Sequence, residues 1–531
     1  MLARGSDAHL SATQLVAKPS QFVVRDRSSN FVPLVLCTVM PSLLLQDVDE
    51  LRALLTEVET LRDDVEERGA ELRAEWGEAA IKSPLKALNL SHYVALRGRD
   101  LIDIQYRLAA HGLSSLGRSE AKVAPALDAV IASLRRLCGE MDAPYPSLEL
   151  LRAGAAELEA DAERLFGMRP RGAPRVRVMA TLPPEAATQP ELADNLIAAG
   201  MDCARINCAH DDADAWARMI ANVREAAGRL ERPCKVLMDI AGPKSRIQAV
   251  KAPPKARLVR GDRAVLRNKM KDDDKDPVAF ALNFPELVDQ LEIGSEVFID
   301  DGKAAARVIA KSAGRAVIEV YAAREKGVRL KPGKGVNFPS TEVELPPLTS
   351  KDFRDLDFIA EHADLVGFSF VRRTDDVELL QDHLVARAPK RRPHGLVLKI
   401  ETPLAVRNLP QLILQSAAHN PTAVMIARGD LAVELGFARL TELQEEILWL
   451  CEAAHTPVVW ATQVLDNYVR DGVASRAEMT DAAMAQGADC VMLNKGPYLA
   501  EGVAFLRDVL ARMDRHYAKK FVRFTQLKAW S

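Results

Sequence analysis

Between Leu396 and Leu435 two short apolar runs each finish in charged residues. Leu396-Val397-Leu398 runs into Lys399 and Glu401; the run 423–426 leads to Arg428, Gly429 and Asp430, and a helix-like segment after Pro403 lies between them. That is a strand, helix, strand unit with its polar groups at the strand ends. Side chains two apart on a strand point to one face, so Lys399 and Glu401 share a side. If Asp430 meets them from the end of the next strand, the result is a cation beside two oxygen ligands. Such a group suits a Mg2+ ion holding an anionic substrate while the ammonium stabilises a developing oxyanion. A salt-bridged barrel rim would use the same residues, so the elements that position them have to decide.

Eight short apolar runs follow residue 175: 176–182, 203–207, 234–240, 364–370, 396–401, 423–428, 457–462 and 490–494, alternating with amphipathic helical segments. Parallel strands covered on both faces read as continuous apolar runs, and eight such units predict a (β/α)8 TIM barrel of the α/β class, with a doubly wound sheet as the alternative. Polar residues stand at the C-terminal ends of nearly all of them: Arg205 and Asn207, Asp239, Ser369, Lys399 and Glu401, Asp430, Thr462 and Gln463, Asn494 and Lys495. A barrel brings those positions to one face, which favours the functional reading of the Lys399 group.

The third unit is interrupted. From 246 to 339 the pattern is turn-rich and β-like, with Asp300-Asp301-Gly302 as a hairpin signal, and predicts a small inserted β-domain, a lid over the barrel mouth. Ahead of the barrel, helical periodicity over 47–76, 91–111 and 121–137, with Ser119 as an N-cap and Gly139 as a C-cap, predicts an all-α N-terminal domain. The expected organisation is a disordered or loosely packed stretch at 1–45, helices at 46–167, a catalytic barrel at 175–245 and 340–520, and the lid at 246–339.

Composition narrows the class. The 531 residues carry a formal net charge of −3, which argues against a nucleic-acid protein, whose affinity comes from a basic face. Seven scattered cysteines without a CxxC pair suggest reduced thiols in a cytoplasmic protein. The apolar stretch 31–45 is broken by Pro33 and Pro41 and is too short to span a bilayer, so no membrane association is expected.

The segments AGMDCARINCAH (199–210), MDIAGPKSRI (238–247), IDDGK (299–303), KGVNFPSTEVELPPLTSKD (334–352), GFSFVR (367–372), LKIE, ARGDLAVEL, TPVVWATQVLD (456–466) and SRAEMTDAAMAQGADCVML (475–493) resemble, in order, those of the pyruvate kinase family. The resemblance runs from 175 to about 513 and includes the inserted domain. It implies that Glu401 and Asp430 hold Mg2+ (or Mn2+) against phosphoenolpyruvate or pyruvate, and that Lys399 stabilises the transferring phosphoryl group and the enolate. Thr462 would lie beside the substrate methyl carbon. The Gly429 and Asp430 amides at a helix N-terminus would hold the substrate carboxylate, with Ser369 also on the substrate. Arg205, Asn207, His210, Arg246 and Lys334 match positions near the nucleotide or the transferring phosphate, Arg205 counting among the catalytic groups. The reaction implied is phosphoryl transfer from phosphoenolpyruvate to ADP, giving pyruvate and ATP; a homo-oligomer is left open.

Three departures stand out. After the eighth run the family's Ser-Gly-Glu-Thr is Asn494-Lys495-Gly496-Pro497, which puts the water chain to the enolate in question. The family's Lys-Gly-Pro-Glu is Ala241-Gly242-Pro243-Lys244. The chain also stops soon after the last barrel helix, so the family's C-terminal regulatory domain is expected to be absent. Of the family's monovalent-cation ligands Asn207 and Asp239 are kept, but the serine is Ala209, and Lys244 resembles the K+-independent members; K+ is therefore expected to be dispensable, with the Lys244 ammonium near Asp239 as its substitute. Two other functions use the same residues: a lyase or aldolase acting on pyruvate enolate, and a weakened phosphoenolpyruvate- or nucleotide-binding regulator.

Overall fold

The computed structural model describes residues 40–170, 172–270, 276–519 and 521–522, with side chains from 48 to 519. The expectation of disorder at 1–45 falls mostly outside the described residues. Eight parallel strands close a barrel in sequence order: Arg177–Thr181, Cys203–Asn207, Lys235–Asp239, Leu365–Phe368, Gly395–Ile400, Thr422–Ala427, Val458–Ala461 and Cys490–Leu493. They are called the first to eighth strands below. Each coincides with one apolar run to within a residue or two at either end.

Alternate residues of these strands fill the barrel interior. Met179, Cys203, Leu237, Leu365, Val397, Ala423, Met425, Val459, Cys490 and Met492 form its apolar lower part. Leu165 and Phe166 join the same cluster and are fully buried. They end helix α6, the last of six α-helices that precede the barrel among the described residues: α1 Met40–Glu75, α2 Glu78–Lys82, α3 Pro84–Arg97, α4 Ile102–Ala110, α5 Val123–Leu137 and α6 Leu148–Phe166. Leu165 lies so close to Gly395, the first residue of the fifth strand, that a Cβ there would stand 2.6 Å from it. Helix α6 therefore stoppers the N-terminal end of the barrel, opposite the mouth.

The segment expected as one helix over 91–111 is two, α3 and α4, because the Asp100 carboxylate accepts the Ile102 N–H at 3.0 Å and starts a new helix there. Ser119 does not cap α5: its hydroxyl donates to the Leu116 carbonyl, and Asn89 of α3 accepts the Val123 N–H instead, at 2.9 Å. The same Asn89 amide donates to the Ala453 carbonyl, Lys86 donates to the His455 carbonyl, and the His455 ring meets Glu157 of α6 at 3.0 Å. The preceding helices thus share one apolar core and a polar seam with the outer helices of the barrel.

Between the third and fourth strands a seven-stranded sheet has its own core, built on Leu266, Phe280, Val297, Ile299 and Ile318. The hairpin at Asp300-Asp301-Gly302 joins Glu296–Ile299 to Ala304–Ser312, and all three turn residues have positive φ, 55°, 56° and 76°. Among the described residues no helix is long and apolar enough to cross a membrane, and the six cysteines there are free.

Candidate active site

Lys399 is buried in the upper barrel interior. Its Nζ donates to Ser369 Oγ at 2.7 Å and lies 3.4 Å from Glu401 Oε1 and 3.5 Å from Asp239 Oδ2. Ser369 passes its own hydrogen to the Ile240 carbonyl, so its oxygen is fixed as an acceptor for the ammonium. From the second strand Arg205 reaches Asp239 Oδ2 through Nε at 2.7 Å and Thr181 Oγ1 through Nη1 at 2.9 Å. Asp239 is therefore shared by two cations. Burial alone would raise its carboxyl, but the Arg205 and Lys399 charges outweigh burial and hold it below the usual carboxylate range. For Lys399 burial works against the ammonium, and Asp239 and Glu401 overcome it, so the group stays charged.

The space for this cluster comes from a glycine. A Cβ on Gly367, at an inward position of the fourth strand, would stand 1.8 Å from Asp239 Oδ1. Gly367→Ala is expected to push Asp239 off Arg205 and to cost about 1–3 kcal/mol by overpacking. Urea unfolding checks this, and unchanged stability would mean that the carboxylate has room to move.

Glu401 faces the mouth. Its Oε2 accepts the Phe370 N–H at 2.6 Å; burial raises its carboxyl, Lys399 opposing and Asp430 adding to the rise. Asp430 lies in the first turn of helix Arg428–Leu435, which follows the sixth strand directly. The turn is clamped from the seventh strand: Gly429 N–H donates to Thr462 Oγ1 at 2.8 Å, and Arg428 donates to the Ala461 and Thr462 carbonyls while pairing with Asp481 and lying over the Trp460 ring. Thr462, Gln463 and Leu465 all take left-handed backbone, φ 66°, 60° and 51°, a constrained turn that aims Thr462 at the Gly429 amide.

Lys244 departs from expectation. Its Nζ lies 2.5 Å from Asp430 Oδ1, and it makes its ion pair there rather than with Asp239. The reason is electrostatic: Arg205 and Lys399 already pair with Asp239, whereas among the described residues Lys244 is the cation within ion-pair distance of Asp430. Glu401, whose carboxyl is raised by burial and by the Asp430 charge beside it, and Asp430 are two hard carboxylates at the mouth, a donor set that suits a divalent cation completing its shell with water and substrate oxygen. Among the described residues no three His, Cys, Asp or Glu side chains converge as a metal group.

The residues expected near nucleotide lie on two elements. Asn207 and His210 follow Arg205 off the second strand, the Asn207 side chain accepting the Ala209 N–H at 3.1 Å. Arg246 and Lys334 stand where the inserted sheet joins the barrel; Arg246 donates to the Gly333 carbonyl, and Lys334 pairs with Asp300 at 2.9 Å.

The family profile described as the barrel domain of pyruvate kinase matches residues 173–503. The chain belongs to the pyruvate kinase family. Its similarity to the pyruvate kinase of Geobacillus stearothermophilus is 33% identity over 354 residues, covering 64% of this chain and 57% of that protein. With the Thermococcus litoralis pyruvate kinase it is 32% over 363 residues, 67% of this chain and 73% of the relative, and with that of Methylorubrum extorquens 34% over 348 residues, 64% and 69%. The chain thus matches little more than half the length of the Geobacillus relative.

One residue at the mouth of this pyruvate kinase barrel escaped the sequence reading. Glu434 sits four residues after Asp430, one helical turn on, a spacing that could have flagged it. It accepts a hydrogen bond from Asn337 at 2.7 Å, tying the base of the inserted sheet to the barrel. Burial lifts its carboxyl to about 6, the Asn337 bond and Lys244 opposing and Asp430 assisting. The folded protein therefore favours protonated Glu434. In the metal-free protein that contribution is fully present below the ordinary value and is lost as pH rises through about 6, amounting to about 2 kcal/mol. Glu434→Gln should flatten the stability profile between about pH 4 and 7 in calorimetry; a profile identical to wild type would show that another group sets the slope.

Proposed function

We propose that this protein is a cytoplasmic enzyme that transfers a phosphoryl group from phosphoenolpyruvate to ADP, giving pyruvate and ATP, and that it needs a divalent ion but not K+. The observation that carries the reading is the Lys399 ammonium, held by Ser369, Asp239 and Glu401 beneath a mouth edged by Glu401 and Asp430. Glu401 and Asp430 would hold Mg2+ or Mn2+, which when bound neutralises the phosphate and enolate oxygens. Lys399 stabilises charge that grows at the enolate oxygen as the phosphorus–oxygen bond breaks. The Asp430 amide, joined by the Gly429 N–H when it leaves Thr462 Oγ1, takes the substrate carboxylate, and Thr462 stands at its methyl side. Arg205 spreads charge on the transferring phosphoryl group, with Asn207, His210, Arg246 and Lys334 on the nucleotide side.

K+ independence is supported by charge. Asp239 already carries Arg205 and Lys399, Ala209 offers no side-chain oxygen, and Lys244 brings a further ammonium to the mouth. A K+ ion here would have one side-chain oxygen fewer, at Ala209, and would meet cations at short range. The test is a coupled assay with phosphoenolpyruvate, Mg2+ and ADP in tetramethylammonium buffer, with and without KCl at matched ionic strength. Turnover independent of KCl is the expected result. No turnover in either buffer would remove the activity, and activation by K+ of about tenfold or more would remove the cation claim alone.

A further inference from the structure

The inserted sheet is carried by two segments, 243–245 leaving the barrel and 336–345 returning to it, and a cavity of about 340 Å3 lies against both. Ser245, Asn337 and Phe338 line it from these segments; Phe370 and Leu404, which follow the fourth and fifth strands, and Glu434, in the helix after the sixth, line it from the barrel. Lys244 stands at its edge, but none of Lys399, Glu401, Asp430 or Thr462 lines it. The cavity is therefore separate from the reaction centre.

Two polar groups in the residues that line it are unsatisfied. Glu434 gives Oε1 to the Asn337 amide at 2.7 Å, and its Oε2 has no hydrogen-bond partner among the described residues. Ser245 is 8% exposed, and its buried hydroxyl has none either. A buried polar group without a partner costs free energy that a bound molecule recovers. The charges around the cavity, by contrast, are settled: Arg372 donates to the Val343 and Leu345 carbonyls, Arg407 pairs with Glu342 at 2.8 Å, and Lys244 pairs with Asp430. A charged ligand would compete with one of these pairs, and a neutral one leaves them intact. Pro339, Pro403, Phe338 and Phe370 make much of the remaining lining flat and apolar, which suits a planar ring.

We propose that this cavity is a binding site for a small neutral molecule with a planar ring and an N–H donor, the N–H going to Glu434 Oε2 and the ring to the apolar lining. Such a molecule touches both segments that carry the inserted sheet and the barrel beside them, so its binding favours one placement of the sheet over the mouth. The inference goes beyond the proposed activity and does not depend on it, because Glu434, Ser245, Phe338 and Leu404 take no part in the phosphoryl transfer.

Indole and benzofuran are the probes, two rings of one shape of which only indole has an N–H. They are titrated into the full chain by ligand-observed NMR above about pH 6, where Glu434 is ionised and its free oxygen only accepts. Wild type is expected to bind indole with Kd about 1 mM and benzofuran about tenfold more weakly. In Glu434→Gln the Asn337 amide still claims the side-chain oxygen, so an NH2 group takes the place of Oε2, and indole should fall to the benzofuran level. Leu404→Trp, at a half-buried position on the cavity wall, supplies a ring of its own and should abolish binding of both. Circular dichroism melting verifies that the variants fold, and Glu434→Gln decides alone if Leu404→Trp does not. Amide hydrogen exchange at 336–345 should slow when indole is added to wild type. Wild type that does not bind indole at about 10 mM overturns the inference. So do equal affinities for the two rings, indole binding unchanged in Glu434→Gln, or exchange that slows elsewhere but not at 336–345. None of these outcomes bears on the proposed activity, which the coupled assay tests separately.

Discussion

Lys399→Met is expected to lower kcat for phosphoryl transfer about a thousandfold or more while Mg2+-dependent binding of phosphoenolpyruvate changes only a few-fold. Methionine keeps most of the side-chain volume inside the barrel, so the interior does not collapse around a cavity. What disappears is the ammonium against Ser369, Asp239 and Glu401. An interaction that strengthens as charge develops lowers the barrier, whereas one equal in ground and transition states changes only affinity. Asp239 keeps Arg205, so the variant does not leave that carboxylate unpaired. Glu401 loses the one cation that opposes its rise most, and its carboxyl should move further up. Metal binding to the variant should then begin at higher pH than in wild type. Steady-state turnover beside calorimetric titration of the substrate separates the two quantities. A variant that keeps most of its turnover removes Lys399 from the chemistry.

Phe166→Ala should be the most destabilising single change outside the site, about 4 kcal/mol, with Phe166→Leu costing only about 1 kcal/mol. Phe166 and Leu165 are fully buried against Met179, Cys203, Leu237, Val397 and Met425, residues from five different strands. Truncating the ring opens a cavity that those strands cannot close without bending the barrel. A chain that starts near Gly172 should do worse, because it uncovers the whole lower interior and the outer helices that α2, α3 and α6 cover. Such a truncation is expected to lose cooperative unfolding and solubility. A truncated chain with wild-type Tm would show that the barrel seals itself without α6.

Much of this was legible in the amino-acid chain because two rules act locally. Strands buried on both faces must be apolar throughout, which exposed all eight of them, and alternation alone put Lys399 and Glu401 on one side. Pairings across long separations were not legible. Lys244 and Asp430 are brought together by the lid junction and the sixth strand, and the spacing of neither residue says which carboxylate the lysine chooses. Helix α6 shows an apolar stripe, but nothing in the stripe says that its last two residues enter a barrel rather than a helix bundle. Gly367 reads as an ordinary strand interruption until the Asp239 carboxylate is seen in the volume a side chain would take.

The stopper at the foot of the barrel also dictates an order of events during synthesis. Leu165 and Phe166 leave the ribosome before any strand of the barrel, yet their partners include Cys490 and Met492 on the last strand. The helices that precede the barrel can form early from local contacts, but their apolar end has no complete socket until more than three hundred further residues have been made. During that interval the end of α6 and each nascent strand expose surface that neighbouring nascent chains can capture. Closure of the barrel and seating of α6 are therefore one late step, so a stalled or prematurely released chain should be a substrate for chaperones rather than a partly active enzyme.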